Sequence, residues 1–113
     1  MLRAAIACDD PTIIIESRAF YQRKEVADFS ADAQPIGGLR TRRQGKHIAL
    51  VSWSTGMPVI QAAAELLAAD GIEASVIDLR WLSPLPEEEL IDAIAKSGNA
   101  AMIVHEANLT GGV

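Results

Sequence analysis

His47-Ile48-Ala49-Leu50-Val51-Ser52-Trp53, running into Ser54-Thr55-Gly56 and then Met57-Pro58-Val59-Ile60, is the stretch on which the fold turns. Its first part is a nearly unbroken apolar run, too short for a helix, and reads as a strand buried on both faces. A small polar turn follows, and Pro58 then falls in the first turn of a helix, where a missing N–H costs little. Val59, Ile60, Ala63, Leu66 and Leu67 recur at helical spacing and give that helix one apolar face. Asp70-Gly71 ends it with a residue free to take positive φ.

Downstream the pattern repeats. Ala74-Ser75-Val76-Ile77-Asp78-Leu79 reads as a second strand, and Ser83-Pro84-Leu85-Pro86 breaks the chain before a second helix. Glu87, Glu88 and Glu89 put negative charge on its first turn, where the helix dipole favours it. Leu90, Ile91 and Ile94 are expected to face inward, and Lys96-Ser97-Gly98 closes the helix. Ala100-Ala101-Met102-Ile103-Val104 then makes a third apolar strand that delivers His105 and Glu106 to its carboxyl end. Apolar strands joined by amphipathic helices require a parallel sheet covered by helices, with right-handed crossovers.

Upstream, Leu39 to Arg43 alternates like an edge strand between the turns Pro35-Ile36-Gly37-Gly38 and Gln44-Gly45-Lys46. Ser17 to about Gln34 has no sustained period and reads as a linker. Thr12-Ile13-Ile14-Ile15, ending at Glu16, is a β-branched run expected to form a fully buried strand. Met1 to Cys8 reads as a short helical piece stopped by Asp9-Asp10-Pro11.

The 113 residues suffice for one domain that buries roughly two-thirds of its unfolded surface. Half of them are hydrophobic and 22% are charged, which argues against extensive disorder. No apolar run is long enough to cross a bilayer, so a soluble protein with no membrane partner is expected. The N-terminus lacks a secretory apolar region. Cys8, the single cysteine, excludes an internal disulfide and a cysteine-based zinc site; it reads as a small buried apolar residue in a reducing compartment. A net charge of −5 argues against a nucleic-acid partner. Arg40, Arg42, Arg43 and Lys46 could form one basic spot, although solvated charges flanking a strand is the plainer reading.

Ligand-facing groups in such folds collect at the carboxyl ends of strands, here Ser54-Thr55-Gly56, Arg80-Trp81 and His105-Glu106. No dinucleotide, phosphate-loop, nucleophile-elbow or zinc-protease motif is present. Ser54 and Thr55 are most simply helix caps, and His47 is structural. His105-Glu106, followed by Asn108 and Thr110-Gly111-Gly112, is the least ordinary cluster, because polar groups and glycines follow a wholly apolar strand.

Three segments carry more information together: Pro11-Thr12-Ile13-Ile14-Ile15-Glu16, VIDLRWLSPL (residues 76–85) and IVHEANLTGGV (residues 103–113). In that order, with the Pro-Ile-Gly turn and the arginine-rich edge strand between them, the whole chain resembles the β subunit of the E1 component of thiamine-diphosphate-dependent 2-oxo acid dehydrogenases, of pyruvate or branched-chain type. The resemblance implies an incomplete three-layer αβα fold with a mainly parallel sheet, like the C-terminal domain of transketolase. It implies that residues 1–30 are the tail of a pyrimidine-binding domain, 31–45 a linker and edge strand, and 46–113 the first part of the C-terminal domain.

The parent enzyme is expected to use thiamine diphosphate and magnesium to decarboxylate a 2-oxo acid and pass the acyl group to the lipoyl arm of an acyltransferase, E2. The implied partners are an E1 α subunit, a second β subunit and E2, in the bacterial cytoplasm or the mitochondrial matrix. The family's cofactor-activating glutamate and active-site histidine lie upstream of the matching positions. No catalytic or cofactor-binding residue is therefore assigned, and the chain alone is expected to be inactive and to bind no cofactor. A structural monovalent cation, potassium, is implied at the carbonyls of Ala5, Ile6, Cys8 and Asp10, although the family commonly has Asp where Cys8 stands and Asn where Asp10 stands. His105 and Glu106 are expected at a subunit interface or pocket rim. The form of the residue 105–112 motif leans towards the branched-chain type.

Two other readings compete. One is a stand-alone, non-catalytic dimerisation or E2-docking module. The other is a piece of another thiamine enzyme, such as transketolase or deoxyxylulose-phosphate synthase. An open apolar edge at the last strand, with an orphan strand at Ile13 to Ile15, predicts that the isolated chain associates.

Overall fold

The computed structural model describes residues 1–24, 26, 33–108 and 110–112. After a short helix α1 (Leu2–Ala7) and a single 3-10 turn at Arg18–Phe20, the chain enters a sheet unit. Its elements are β1 (Arg40–Arg43), β2 (Ile48–Ser52), α2 (Gly56–Ala69), β3 (Ala74–Asp78), α3 (Glu87–Ala95) and β4 (Ala101–Ile103). The sheet order is β1-β3-β2-β4. β2 runs parallel to both β3 and β4, and β1 is antiparallel to β3. The result is the mainly parallel sheet read from the sequence, with one antiparallel edge. Residues 25, 27–32, 109 and 113 lie outside the described residues, so the middle of the expected linker is not covered.

Alternation along the central strands builds two cores. Leu50, Ala74 and Val76 face α2 and pack on Ile60 and Ala64, with Ala63 and Leu67 closing the side. Ala49, Val51, Ile77 and Leu79 face the other way and take Leu90, Ala93 and Ile94 of α3, together with Leu39 and Trp53. The architecture is therefore helix, sheet, helix, with each fully buried Val, Leu or Ile contributing about 1.5–3 kcal/mol. Apart from the Trp81 indole N–H, the buried side-chain polar groups among the described residues are paired. The Ser75 hydroxyl accepts the Gly45 N–H at 2.8 Å and lies 2.7 Å from the Ser97 hydroxyl.

Several expectations need correction. Thr12 to Ile15 is no buried strand: Ile13 and Ile15 are 89% and 87% exposed, and the run pairs with nothing among the described residues. Apolar residues can only be buried by a neighbour, and α1 likewise buries none of its residues. Cys8 is half-buried rather than buried. In α2 the inward face is Ile60, Ala63, Ala64 and Leu67, while Val59 and Leu66 point out. In α3, Ala93 replaces Ile91, which is exposed. In both helices the apolar stripe is wider than the contact, and the sheet selects which part of it is covered. The last strand, read as apolar and as an open edge of the sheet, is exposed along its whole length.

Candidate functional site

The carboxyl ends of β2 and β4 adjoin, and there the chain gathers its aromatic and polar groups. β2 lies between β3 and β4: the crossover through α2 runs from β2 out to β3, and the one through α3 returns past β2 on the other face to β4, so the gap between β2 and β4 is the switch point at which such sheets open a crevice. The Ser52 hydroxyl donates to the Val104 carbonyl at 2.7 Å and ties the two strand ends together. A β-carbon at Gly56 would collide with the Ser52 hydroxyl as it stands, so a larger residue there would displace that hydroxyl from the Val104 carbonyl. One residue on, the Trp53 and His105 rings lie 4.2 Å apart at 45°. Thr55 donates to the Glu106 carboxylate at 3.2 Å.

That last bond corrects the capping expectation. Neither Ser54 nor Thr55 caps α2 with its side chain. Ser54 takes a left-handed φ of +47°, and the tight turn lets the carbonyls of Trp53 and Ser54 accept the N–H groups of Gly56 and Met57. The Thr55 hydroxyl is thereby released to hold Glu106, whose negative charge is favoured beside a helix N-terminus. His105 and Glu106 are both exposed, so the cluster presents an imidazole edge and a carboxylate at the surface. No serine, threonine or cysteine among the described residues is hydrogen-bonded to a histidine. The cluster can orient and accept, but it is not a nucleophile–base pair.

Arg80, grouped with the ligand-facing residues in sequence, is committed inside the fold. Arg42 and Arg80 converge on one oxygen of Asp78, with closest contacts of 3.0 Å each. Arg80 also donates to the Gln34 side chain at 2.7 Å, and Gln34 donates to the carbonyls of Gly38 and Leu39. Arg42 reaches Asp78 because the β1–β3 register slips between Thr41 and Arg43, an irregularity that re-aims the side chain. Trp81 is buried, and its indole N–H has no partner among the described residues. The expected basic spot is largely consumed as well: Arg43 donates to the Ala64 carbonyl and Lys46 pairs with Glu73 at 3.2 Å. His47 is structural, its Nδ1 accepting the Glu73 N–H at 2.8 Å.

The four positions implied for a cation lie around the end of α1. Ala5 and Ile6 are helical, the Ala5 carbonyl accepts the Cys8 N–H at 3.4 Å, and the Cys8 sulfur accepts the Asp10 N–H at 3.4 Å. An open groove elsewhere is lined by Gly37, Leu85, Pro86 and the three glutamates that start α3, of which Glu89 accepts the Leu39 N–H. Sequence reasoning missed Asp78, Gln34 and Trp53 as organising residues. A carboxylate at the end of an otherwise apolar strand, with arginines nearby in sequence, was the available signal for the first of these.

Residues 37–113 match the family model described as transketolase, C-terminal domain. The pyruvate dehydrogenase E1 component subunit beta of Acholeplasma laidlawii is 32% identical over 108 residues, covering 95% of this chain and 33% of that protein. The 2-oxoisovalerate dehydrogenase subunit beta of Bacillus subtilis (strain 168) is 32% identical over 108 residues, covering 94% of this chain and 33% of that protein. Among solved structures, a split gene transketolase in an inactive beta4 tetramer aligns with a TM-score of 0.67 and 28% identity over 79% of this chain and 29% of that one. The chain thus spans about a third of the length of these curated relatives. No helix among the described residues is long and apolar enough to cross a membrane. With its sheet order, its two helical layers and the family match all in agreement, this chain belongs to the transketolase C-terminal domain family.

Proposed function

We propose that the chain is a segment of the β subunit of a 2-oxo acid dehydrogenase E1 component. In this reading it supports oxidative decarboxylation by packing subunits together rather than by performing chemistry. The observation that carries this is the extent of the similarity: it runs through residues upstream of the family model and includes β subunits acting on pyruvate and on a branched-chain 2-oxo acid. Residues 1–30 would close a pyrimidine-binding domain, 31–45 would link, and 46–113 would form the sheet unit. The working assembly would include an E1 α subunit, a second β subunit and the E2 acyltransferase, in a bacterial cytoplasm or a mitochondrial matrix.

The described residues do not fit thiamine diphosphate and magnesium. No group of three or more histidine, cysteine, aspartate and glutamate side chains among them could hold a metal ion. The groove beside α3 is lined by three carboxylates, which repel a diphosphate. In this reading the cofactor belongs to surfaces that other parts of the assembly supply. His105 and Glu106 would contribute to a subunit interface or pocket rim, and the carbonyls of Ala5, Ile6, Cys8 and Asp10 would take part in a structural potassium site.

A chimera tests this. This chain replaces the matching third of the Acholeplasma laidlawii β subunit, which is then co-expressed with its α subunit. The expected result is a heterotetramer that retains 2-oxo acid-dependent turnover, while the 113-residue chain alone has none. A folded chimera that fails to bind the α subunit overturns the reading. His105→Ala with Glu106→Ala in the active chimera is expected to weaken assembly; unchanged assembly and turnover would remove both residues from the interface.

A further inference from the structure

Just before β2 and β3 the two chain segments exchange hydrogen bonds, and one of the acceptors is a side chain. The N–H groups of Lys46 and His47 both donate to the Glu73 carbonyl at 3.0 Å, and the Glu73 N–H donates back to His47 Nδ1 at 2.8 Å. An imidazole nitrogen thus does the work of a backbone carbonyl oxygen. Gly45 allows the close approach, because a β-carbon there would meet the backbone of Glu73 and Ala74. The Ser75 hydroxyl steadies the same turn from the interior by accepting the Gly45 N–H at 2.8 Å.

Imidazole accepts at Nδ1 only in its neutral form, with the proton on Nε2. Protonation turns that nitrogen into a second donor and sets N–H against N–H. His47 is exposed, so solvent protons reach it freely. The charged groups beside it are Lys46, its neighbour in the chain, and Glu73, whose carboxylate lies 3.2 Å from the Lys46 ammonium. From the segment after α3 it is Gly98 that comes against the carbonyls of Lys46 and His47, and glycine brings no charge. The Lys46–Glu73 pair is well exposed and screened by water, and neither of its charged groups can accept at the position that Nδ1 fills.

We propose that His47 is an acid-sensitive latch: the neutral ring fastens the turn Gln44-Gly45-Lys46 to the start of β3, and protonation releases the Glu73 amide. The latch sits at the amino ends of the parallel strands, whereas Trp53, His105 and Glu106 gather at their carboxyl ends. Acidification therefore loosens the β1–β2 turn and leaves the candidate site in place.

Nitrogen-15 NMR of the full chain, with amide exchange measured against intrinsic rates, tests this. At about pH 8 the His47 ring is expected as the Nε2–H tautomer with the Glu73 amide protected; at about pH 5 that protection falls about 2–12-fold, while the amides of Val51 and Ile77 keep theirs. His47→Asn places a side-chain oxygen that does not titrate where Nδ1 stands, and is expected to hold the protection at both pH values. His47→Leu loses it at both. His105→Gln and Glu73→Gln leave the pH step unchanged, which assigns it to His47. An Nδ1–H tautomer at about pH 8 overturns the proposal. So does protection at Glu73 that stays constant down to about pH 5, or that falls equally in His47→Asn.

Discussion

Ile13-Ile14-Ile15 and Val76-Ile77 are nearly the same chemistry in two opposite situations. Val76 and Ile77 are 1% and 0% exposed, with hydrogen-bonded strands on both sides and a helical layer on each face. Ile13 and Ile15 are almost fully exposed. β-Branched side chains favour an extended backbone, and both runs can satisfy that preference alone. Burial is different, because it depends on what else the chain can bring alongside. β3 has β1 and β2 to pair with, whereas the upstream run has no partner among the described residues. A strand is therefore a property of a pair, and an apolar run is only a candidate for one.

The largest expected effect lies on the buried side. Ile77→Ala empties a site between β2, β1 and α3 and should cost about 2–5 kcal/mol, read from chemical denaturation. A loss below that range would mean that α3 closes onto the sheet when the side chain is removed. Asp78→Ala, at the end of the same strand, should cost about 1–3 kcal/mol, because Arg42 and Arg80 lose their shared acceptor and Arg80 is only 20% exposed. Arg42 is 36% exposed, so solvent recovers part of its loss.

On the exposed side, Ile13→Ala or Ile15→Ala should change the stability of the sheet unit by less than about 0.5 kcal/mol when measured at concentrations too low for association. A larger loss would break the comparison, since it would require a burying contact for that run.

The smallest expected effect is at the end of the exposed run, where the Tyr21 hydroxyl donates to the Glu16 carboxylate at 3.2 Å. That bond, with the adjacent negative charge, holds the phenol above its ordinary 10.0. The folded value is the raised one, so the contribution is fully present below pH 10.0 and is lost as pH climbs through the folded value. Glu16→Gln should bring the phenolate absorbance titration back toward 10.0, and an unmoved titration would show that Glu16 does not hold the phenol.

Much of the sheet unit was legible from residues alone. Element types, order and near-boundaries from Leu39 to Val104 follow from runs, helical spacing and turn residues, because these are local properties of the chain. The helix stop at Gly71, with φ +79°, and the acidic first turn of α3 are of the same kind. The candidate site was legible only as a set of strand ends. Which ends meet depends on strand order, and no local pattern encodes that Ser52 and Val104 become neighbours across 52 positions of chain.

By itself, then, the sequence determined the repeated strand–helix pattern and, through the segments at residues 76–85 and 103–113, the family. Tertiary structure decided the rest. It sent Arg80 inward to Asp78 rather than outward to a ligand, it released Thr55 from capping to hold Glu106, and it left Ile13 to Ile15 uncovered while burying Val76 and Ile77. The physical reason is common to all three: propensity and periodicity act within a few residues, whereas burial, ion pairing and side-chain hydrogen bonding are settled by neighbours that only the assembled fold brings into range.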